Sequence, residues 1–188
     1  QNDILHRFIS KNDYSKTQLS KTYSPSMDIL VSSNFERYLF DLFGRDSAQL
    51  TDFMLRSSKE RLSVSESQWQ AVKEIFDSAS VSDETTCRVI SETAAELDKL
   101  LDPHTAIGVE SGRLTRKNPQ VPMITLATAH PAKFSEAITV AGLDLPELPA
   151  HLADLFEREE RYSVIANDLR EVSAFISAAL GQQALMRP

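Results

Sequence analysis

Apolar residues recur at helical spacing through the first hundred positions of the chain. The stretch NDILHRFISK, residues 2–11, predicts a short amphipathic helix entered through Asn2 or Asp3. A polar stretch with a Ser24-Pro25 break predicts a loop, and the following apolar pattern predicts a helix that stops at Gly44. Three further helices are predicted between residues 47 and 101, each with one apolar face. We therefore expect a helical layer over most of this region.

The pattern changes near residue 101. The run QVPMITLAT, residues 120–128, is nearly continuous in apolar residues and predicts a strand covered on both faces, as in a parallel sheet. A helix punctuated by Pro131 and Gly142 follows it. The stretch RYSVI, residues 161–165, is a second strand candidate, and a last helix is predicted to close at Gly181. Helices that flank at least one buried strand predict the α/β class.

Composition narrows the possible partners and the compartment. The 188 residues, 41% of them hydrophobic, suffice for one domain or for part of a larger one. A net charge of −7 with no dense basic run argues against nucleic acid. A single cysteine excludes an internal disulfide framework and favours a reducing, cytoplasmic compartment. No apolar run approaches the ~20 residues that a membrane span needs, so no membrane partner is expected.

Two polar clusters stand where chemistry is expected in an α/β protein. Ligands of open sheets bind beyond the carboxyl ends of the strands, and Thr128 and His130 directly follow the predicted strand. They could simply satisfy backbone groups there. Alternatively, the Thr128 hydroxyl could hydrogen-bond a neutral cofactor atom without adding a charge. The stretch LDPHT places Asp102, His104 and Thr105 together at a second loop-to-helix boundary.

Other kinds of site are not predicted. Asp102 and His104 lack further ligands, since His6 and His151 belong to unrelated helical segments, so no metal is expected. No GxSxG elbow of a serine hydrolase occurs. The five glycines form neither a GxGxxG nor a P-loop spacing, so the chain has no phosphate cradle of its own.

Four blocks of the sequence resemble the carboxy-terminal part of the threonine synthase family. They are NDILHRF at 2–8, SPSMDILVSSNFERYLFDL at 24–42, LDPHTAIGV at 101–109 and LATAHPAKF at 126–134. The resemblance implies a fold-type II pyridoxal-phosphate enzyme of two α/β domains, helix-rich with a partly parallel sheet. It implies pyridoxal 5'-phosphate as cofactor and O-phospho-L-homoserine as substrate, converted with water to L-threonine and phosphate by a carbon–oxygen lyase acting on phosphates.

The resemblance also implies how the chain is organised. Residues 1–188 would be the carboxy-terminal segment of a two-domain enzyme, mostly of its large domain. Residues 1–45 would give a strand end, a loop and a helix, and residues 46–100 a helical layer. Residues 101–160 would form the cofactor-side α/β portion, and residues 161–188 the terminal strand and helix. The chain begins in what looks like a strand end, so we expect a fragment of a longer protein.

Site residues follow from the same resemblance. Thr128 would face the pyridine nitrogen, and Ser24 to Asp28 and Asn34 match a further motif. Candidates that would border the cofactor pocket are Asn2, Asp3, Asp102, His104, Thr105 and His130. No catalytic residue is assigned within the chain, because the family's Schiff-base lysine and its glycine-rich phosphate loop belong upstream of Gln1. Lys133 is interpreted as structural or solvent-facing.

Three hypotheses about function remain open at this point. The first is an enzyme segment whose partner is the missing amino-terminal part of the same chain; its oligomeric state is not predicted. The second is a catalytically idle helical interaction module descended from such an enzyme. The third is a regulatory small-molecule domain. An upstream lysine that follows a strand, together with a glycine-rich turn, would favour the enzyme.

Overall fold

The architecture is helical throughout the part that the structure describes. The computed structural model describes the backbone of residues 2–57 and 59–185, and side-chain environments within residues 2–57 and 59–181. The helices found there are α1 Ile4–Lys11, α2 Glu36–Leu42, α3 Ser47–Ser57, α4 Glu66–Ile75, α5 Asp83–Leu97, α6 Pro103–Thr115, α7 Ser135–Val140 and α8 Leu169–Leu185. The chain divides into two compact units, Gln1–Glu147 and Leu148–Pro188.

Two helices of the first unit begin at serine side-chain caps. The Ser65 hydroxyl accepts a hydrogen bond from the backbone N–H of Gln68 at 3.3 Å, and the Gln68 side chain accepts one from the Ser65 N–H at 3.1 Å. This reciprocal pair satisfies two backbone donors at the start of α4. The Ser82 hydroxyl accepts from the Thr85 N–H at 3.2 Å and caps α5 in the same manner. Both helices thus begin directly after a serine that caps them.

Helices α1 to α4 enclose a core rich in aromatic residues. The indole N–H of Trp69 on α4 donates to the carbonyls of Phe8 and Ile9 at 3.1 and 2.9 Å, which ties α4 to the end of α1. The ring of Phe8 meets the edge of Tyr14 with centroids 5.4 Å apart. Buried members of this core are Ile4, Phe8, Ile9, Tyr14, Leu39, Phe43, Phe53, Leu62, Val64 and Val72.

Helices α5, α6 and α7 build a second, smaller core around Val89, Ile90, Ala106, Ala137 and Ile138. One face of α6 also carries the irregular segment 121–128, which crosses it at very short range. A Cβ atom at Gly108 would lie 3.0 Å from Thr125 Cγ2, and one at Gly112 would lie 3.0 Å from Met123 Cγ. Glycine at these two positions therefore lets the segment lie directly on the helix.

The predicted strand over residues 120–128 is not formed. Within residues 2–57 and 59–185 the structure contains no strand, and this segment is irregular. It is also not covered on both faces, because Ile124 and Leu126 are 82% and 75% exposed. A strand is stabilised by hydrogen bonds to a neighbouring strand, and no described segment pairs with this one. The partly parallel sheet is therefore unconfirmed, and so is the short strand at 161–165.

The helix predicted after this segment is shorter than expected. A 3₁₀ turn, Pro131–Lys133, comes first and α7 begins only at Ser135. Gly142 has a φ of +78°, a left-handed conformation that suits glycine beyond a helix end.

The second unit consists of two 3₁₀ turns, Ala150–Leu152 and Leu155–Glu157, and the helix α8. Asp168 Oδ1 accepts from the backbone N–H of Arg170 at 2.8 Å and of Glu171 at 3.2 Å, which caps the start of α8. The prediction that Gly181 closes this helix is wrong, since α8 runs on to Leu185. Glycine inside a helix costs only about 1 kcal/mol relative to alanine and does not by itself stop it. No helix of the described ranges is long and apolar enough to cross a bilayer.

Tyr14 places a polar group inside the larger core. Its side chain is 1% exposed, and its hydroxyl lies near the Ser32 backbone without forming a proper hydrogen bond to any described residue. Burial, and after it the charge of Glu36, raise the pKa of Tyr14 to about 12, although the Ser32 backbone opposes the shift.

We expect Tyr14→Phe to raise the free energy of unfolding at neutral pH by about 1–3 kcal/mol, because an unsatisfied buried hydroxyl is removed. The unfolded tyrosine ionises near pH 10 and the folded one near pH 12, so ionisation of Tyr14 does not affect the free energy of unfolding below pH 10 and lowers it as pH rises to 12. In Tyr14→Phe, this part of the fall in the free energy of unfolding between pH 10 and 12 should be absent. Denaturant titrations across this range measure both effects, with the exposed Tyr162→Phe as control; identical pH dependence in Tyr14→Phe and wild type would contradict the prediction.

Candidate functional site

The LDPHT block begins helix α6, and Asp102 is its cap. The Asp102 side chain is 1% exposed, and its Oδ1 accepts from the backbone N–H groups of His104 at 2.9 Å and Thr105 at 3.4 Å. Pro103 occupies the first helical position, where a missing N–H costs nothing. The local sequence therefore explains why these three polar side chains gather at one helix end.

Asp102 also binds the side chains of the two residues that it caps. Its Oδ1 lies 2.9 Å from Nδ1 of His104, and its Oδ2 accepts the hydroxyl hydrogen bond of Thr105. The other ring nitrogen of His104, Nε2, accepts from the backbone N–H of Ser26 at 3.1 Å. These two bonds select the His104 tautomer that carries its proton on Nδ1. A buried carboxylate with four donors is well compensated for its loss of water.

Two loops are held through this carboxylate. His104 fixes the turn that contains Ser26, and its ring packs edge-on against Phe134 with centroids 4.7 Å apart. Thr105 Oγ1 accepts from the backbone N–H of Thr128 at 3.1 Å, which fixes the end of the 121–128 segment. The structure thus brings Asp102, His104, Thr105 and Thr128 together.

A second polar network lies at the start of the chain. The Asn2 side-chain amide donates to Asp28 Oδ1 at 2.8 Å and to the Ser20 carbonyl at 2.7 Å. Asp28 also accepts the Thr22 hydroxyl at 2.6 Å and the Thr22 backbone N–H at 2.9 Å. The Thr22 hydroxyl lies 3.1 Å from that of the buried Ser24. Asn2 and the SPSMD block are therefore one hydrogen-bonded unit.

The remaining candidates are engaged elsewhere. Asp3 forms an ion pair with Arg7 at 3.0 Å, and His130 Nδ1 accepts from the Ala132 N–H at 3.2 Å to cap the 3₁₀ turn. Lys133 is exposed, with Nζ 5.9 Å from the Phe134 ring centroid. Among the residues that the structure describes, no three His, Cys, Asp or Glu side chains come together as a metal site.

Two neighbouring cavities lie over these networks. The first, of about 380 Å³, is lined by His104 and Thr128 together with α6 and the 121–128 segment. The second, of about 820 Å³, is lined by Asn2 and Asp3 and by residues of the 22–38 region. Asp77, Ser78 and Ser111 line both cavities, so the two are adjacent. Asp102, Thr105 and His130 line neither of them.

The Thr128 hydroxyl is available to hydrogen-bond a ligand in the first cavity. Thr128 is exposed, and no described residue hydrogen-bonds its hydroxyl, since only its backbone N–H is engaged. The cavity wall beside it is apolar and includes Met123, Ile124 and Leu126. An apolar recess with one unengaged hydroxyl suits an aromatic ring that carries a neutral hydrogen-bonding atom.

Sequence reasoning missed the residues that connect the motifs. Ser26, Thr22 and Asp28 belong to or precede a block that was matched without a role for any single residue. The only signal was the polar richness of the block, which is equally typical of ordinary turns.

Comparison with known proteins gives a consistent answer. Residues 105–176 match the family model described as "Threonine synthase, C-terminal". The threonine synthase of Pseudomonas aeruginosa is 55% identical over 181 residues, which cover 94% of this chain and 38% of that protein. The threonine synthase of Corynebacterium glutamicum is 34% identical over 187 residues, covering 96% and 39%. The chain thus spans well under half the length of these relatives.

Solved structures are similar over the same extent. The PLP-bound threonine synthase from Brucella melitensis superposes with a TM-score of 0.81 at 39% identity, over 93% of this chain and 38% of that one. The threonine synthase from yeast gives a TM-score of 0.76 at 30% identity, over 96% and 41%.

We expect Thr105→Val to loosen the end of the 121–128 segment. The substitution keeps the shape of the side chain but removes both the donor to Asp102 and the acceptor for the Thr128 N–H. The free energy of unfolding should fall by about 1–3 kcal/mol, and hydrogen exchange at the Thr128 amide should accelerate about tenfold or more. Two variants serve as controls: Thr105→Ser, which keeps the hydroxyl, and Thr51→Val, at an exposed position of α3. Unchanged exchange at Thr128 in Thr105→Val would show that this bond does not hold the segment.

Proposed function

The chain belongs to the threonine synthase family, and we propose that it forms one wall of the cofactor and substrate cleft of such an enzyme. The proposed reaction converts O-phospho-L-homoserine and water to L-threonine and phosphate, as a carbon–oxygen lyase acting on phosphates with pyridoxal 5'-phosphate. The observation that carries the proposal is the 55% identity to a threonine synthase over 94% of this chain. Because the chain spans 38% of that relative, the activity is proposed for this segment acting together with the remainder of such a protein.

The residues of the first cavity fit one end of the cofactor. Its volume of about 380 Å³, its apolar wall and the unengaged hydroxyl of Thr128 suit the pyridine ring. The sequence has no glycine-rich loop for the cofactor phosphate, and Lys133 lies on an exposed turn outside both cavities. We therefore assign neither the phosphate contacts nor the covalent lysine to these residues.

Pyridoxal phosphate, when bound, acts as an electron sink that stabilises carbanions of the substrate. The task left to this chain is to hold the ring and set its charge. The Thr128 hydroxyl can donate one hydrogen bond to the pyridine nitrogen without placing a negative charge beside it. A carboxylate in the same position would instead favour a protonated nitrogen. Thr128 therefore favours the neutral ring.

The Asp102 network has a positioning role in this proposal. Through Thr105 it fixes the backbone of Thr128, and through His104 it fixes one wall of the same cavity. Side chains that are locked in this manner lose little freedom when a ligand arrives, which improves binding. His130 caps the neighbouring turn and supports the same stretch of chain from its other end.

The architecture of the complete protein is part of the proposal. We place residues 1–188 mostly in the large domain of a two-domain α/β enzyme, with residues 101–160 on the cofactor side. Residues 120–128 would pair there as a strand of a partly parallel sheet, supported by the exposure of Ile124 and Leu126, which such a sheet would cover. A single buried cysteine, Cys87, accords with the cytoplasm as the proposed compartment.

The decisive assay uses a complete protein that contains this chain. We expect it to be yellow when purified and to release phosphate and threonine in equal amounts from O-phospho-L-homoserine. The adjacent cavities and the family match are the reasons for this expectation. Absorbance and coupled phosphate release measure it. A well-folded, colourless protein that releases neither product would favour a catalytically idle interaction module.

Within that complete enzyme, Thr128→Asp should change the protonation of the ring and lower turnover while the fold stays intact. Exchange of a neutral for a charged hydrogen-bonding partner alters the interaction by more than about 1 kcal/mol, which predicts roughly tenfold lower kcat. Visible absorption spectra against pH and steady-state kinetics measure the two effects. Thr128→Ser keeps the hydroxyl and should behave nearly as wild type, and Thr51→Asp controls for the added charge. Normal spectra and kinetics in Thr128→Asp would show that Thr128 does not face the ring nitrogen.

A further inference from the structure

Arg37 is set apart from the other arginines of the first unit. Seven arginines other than Arg37 lie within residues 2–57 and 59–147, and each binds a carboxylate or a backbone oxygen: Arg7, Arg45, Arg56, Arg61, Arg88, Arg113 and Arg116. Arg37 has no hydrogen bond and no ion pair to any described residue. The fold therefore leaves one guanidinium group of this unit available to a ligand.

The position of Arg37 indicates which kind of ligand it can bind. Arg37 lines the second cavity, of about 820 Å³, and it is the only lysine or arginine among the described residues of that lining. The adjacent Ser33 and Asn34 line the same cavity, and the Asn34 side chain is exposed and without a described partner. A guanidinium with neighbouring hydroxyl and amide groups presents the donors that a phosphate group accepts.

The carboxylates of the same cavity compete only weakly for an anion. Asp3 is paired with Arg7 at 3.0 Å, and Asp77 is paired with Lys117 at 3.0 Å. Asp83 also lines the cavity and accepts a backbone N–H of Tyr23 at 3.4 Å. Two of these three negative charges are thus already neutralised by partners of their own.

The cavity that Arg37 lines is adjacent to the cavity that Thr128 lines. Both cavities are lined by Asp77, Ser78 and Ser111, so Arg37 and Thr128 line neighbouring spaces that share these three residues. We propose that Arg37, assisted by Ser33 and Asn34, binds the phosphate monoester of the substrate. This inference rests on the proposed function for the identity of that substrate, and it adds the residues that recognise its anionic end.

The test uses the complete holoenzyme, in which bound cofactor already fills its own phosphate site. We expect Arg37→Met to raise both the KM for O-phospho-L-homoserine and the Kd for inorganic phosphate by about tenfold or more, since a charge-assisted bidentate contact is lost. Arg37→Lys keeps the positive charge but loses the planar guanidinium that can donate two parallel hydrogen bonds. Its KM and its phosphate Kd should therefore lie between those of wild type and those of Arg37→Met. Arg161→Met is the matched control, because Arg161 is also exposed, has no described partner and lines neither cavity.

L-Homoserine, which lacks the phosphate, identifies the group that Arg37 contacts. Its inhibition constant should be the same in wild type and Arg37→Met. A weaker homoserine constant with unchanged phosphate binding would overturn the proposal, because Arg37 would then contact the substrate carboxylate. Unchanged KM and unchanged phosphate Kd in Arg37→Met would overturn it as well.

Calorimetric titration with inorganic phosphate separates this inference from the proposed function. A holoenzyme that binds phosphate through Arg37 but releases no threonine would support the anion site and contradict the proposed reaction. A holoenzyme that makes threonine equally well with and without the Arg37 guanidinium would support the proposed reaction and contradict the anion site.

Discussion

The arrangement of the site depends on one buried carboxylate. Asp102 accepts hydrogen bonds from two backbone N–H groups and from two side chains, and each of those side chains binds a different loop. A carboxylate so far from water is tolerated only when nearly all of its lone pairs are occupied. That requirement makes the start of α6, the Ser26 turn and the Thr128 backbone mutually dependent. Through His104 and Thr105, this carboxylate therefore fixes two parts of the wall of the first cavity.

The helices were the most predictable part of the fold, because their signals are local. Ser65 and Ser82 cap the starts of α4 and α5 through hydrogen bonds that span only three residues. Gly181 shows the limit of such signals, since a glycine can end a helix or be carried inside one, as it is in α8. The strand over residues 120–128 depends on a partner segment, and its apolar run alone could not reveal whether the described chain supplies one.

Sequence reasoning named several members of the hydrogen-bonded cluster around Asp102. Thr128, Asp102, His104 and Thr105 were identified from their motifs, but the hydrogen bonds that join the motifs cross 23 to 78 residues of chain and leave no local pattern. Arg37 was missed for a related reason: one arginine among several is indistinguishable until the structure shows which of them have partners. The resemblance to a family identified the sequence blocks, and the structure showed the hydrogen bonds that join them.

The two glycines of α6 have a consequence for how such a site can change. Segment 121–128 lies against Gly108 and Gly112 at a distance that admits no additional carbon atom without displacement. A methyl group introduced at either position would require the side chain of Thr125 or Met123 to shift by a few tenths of an ångström. Because Gly108 and Gly112 themselves line the first cavity, a larger residue at either position would also narrow that cavity from the side of α6.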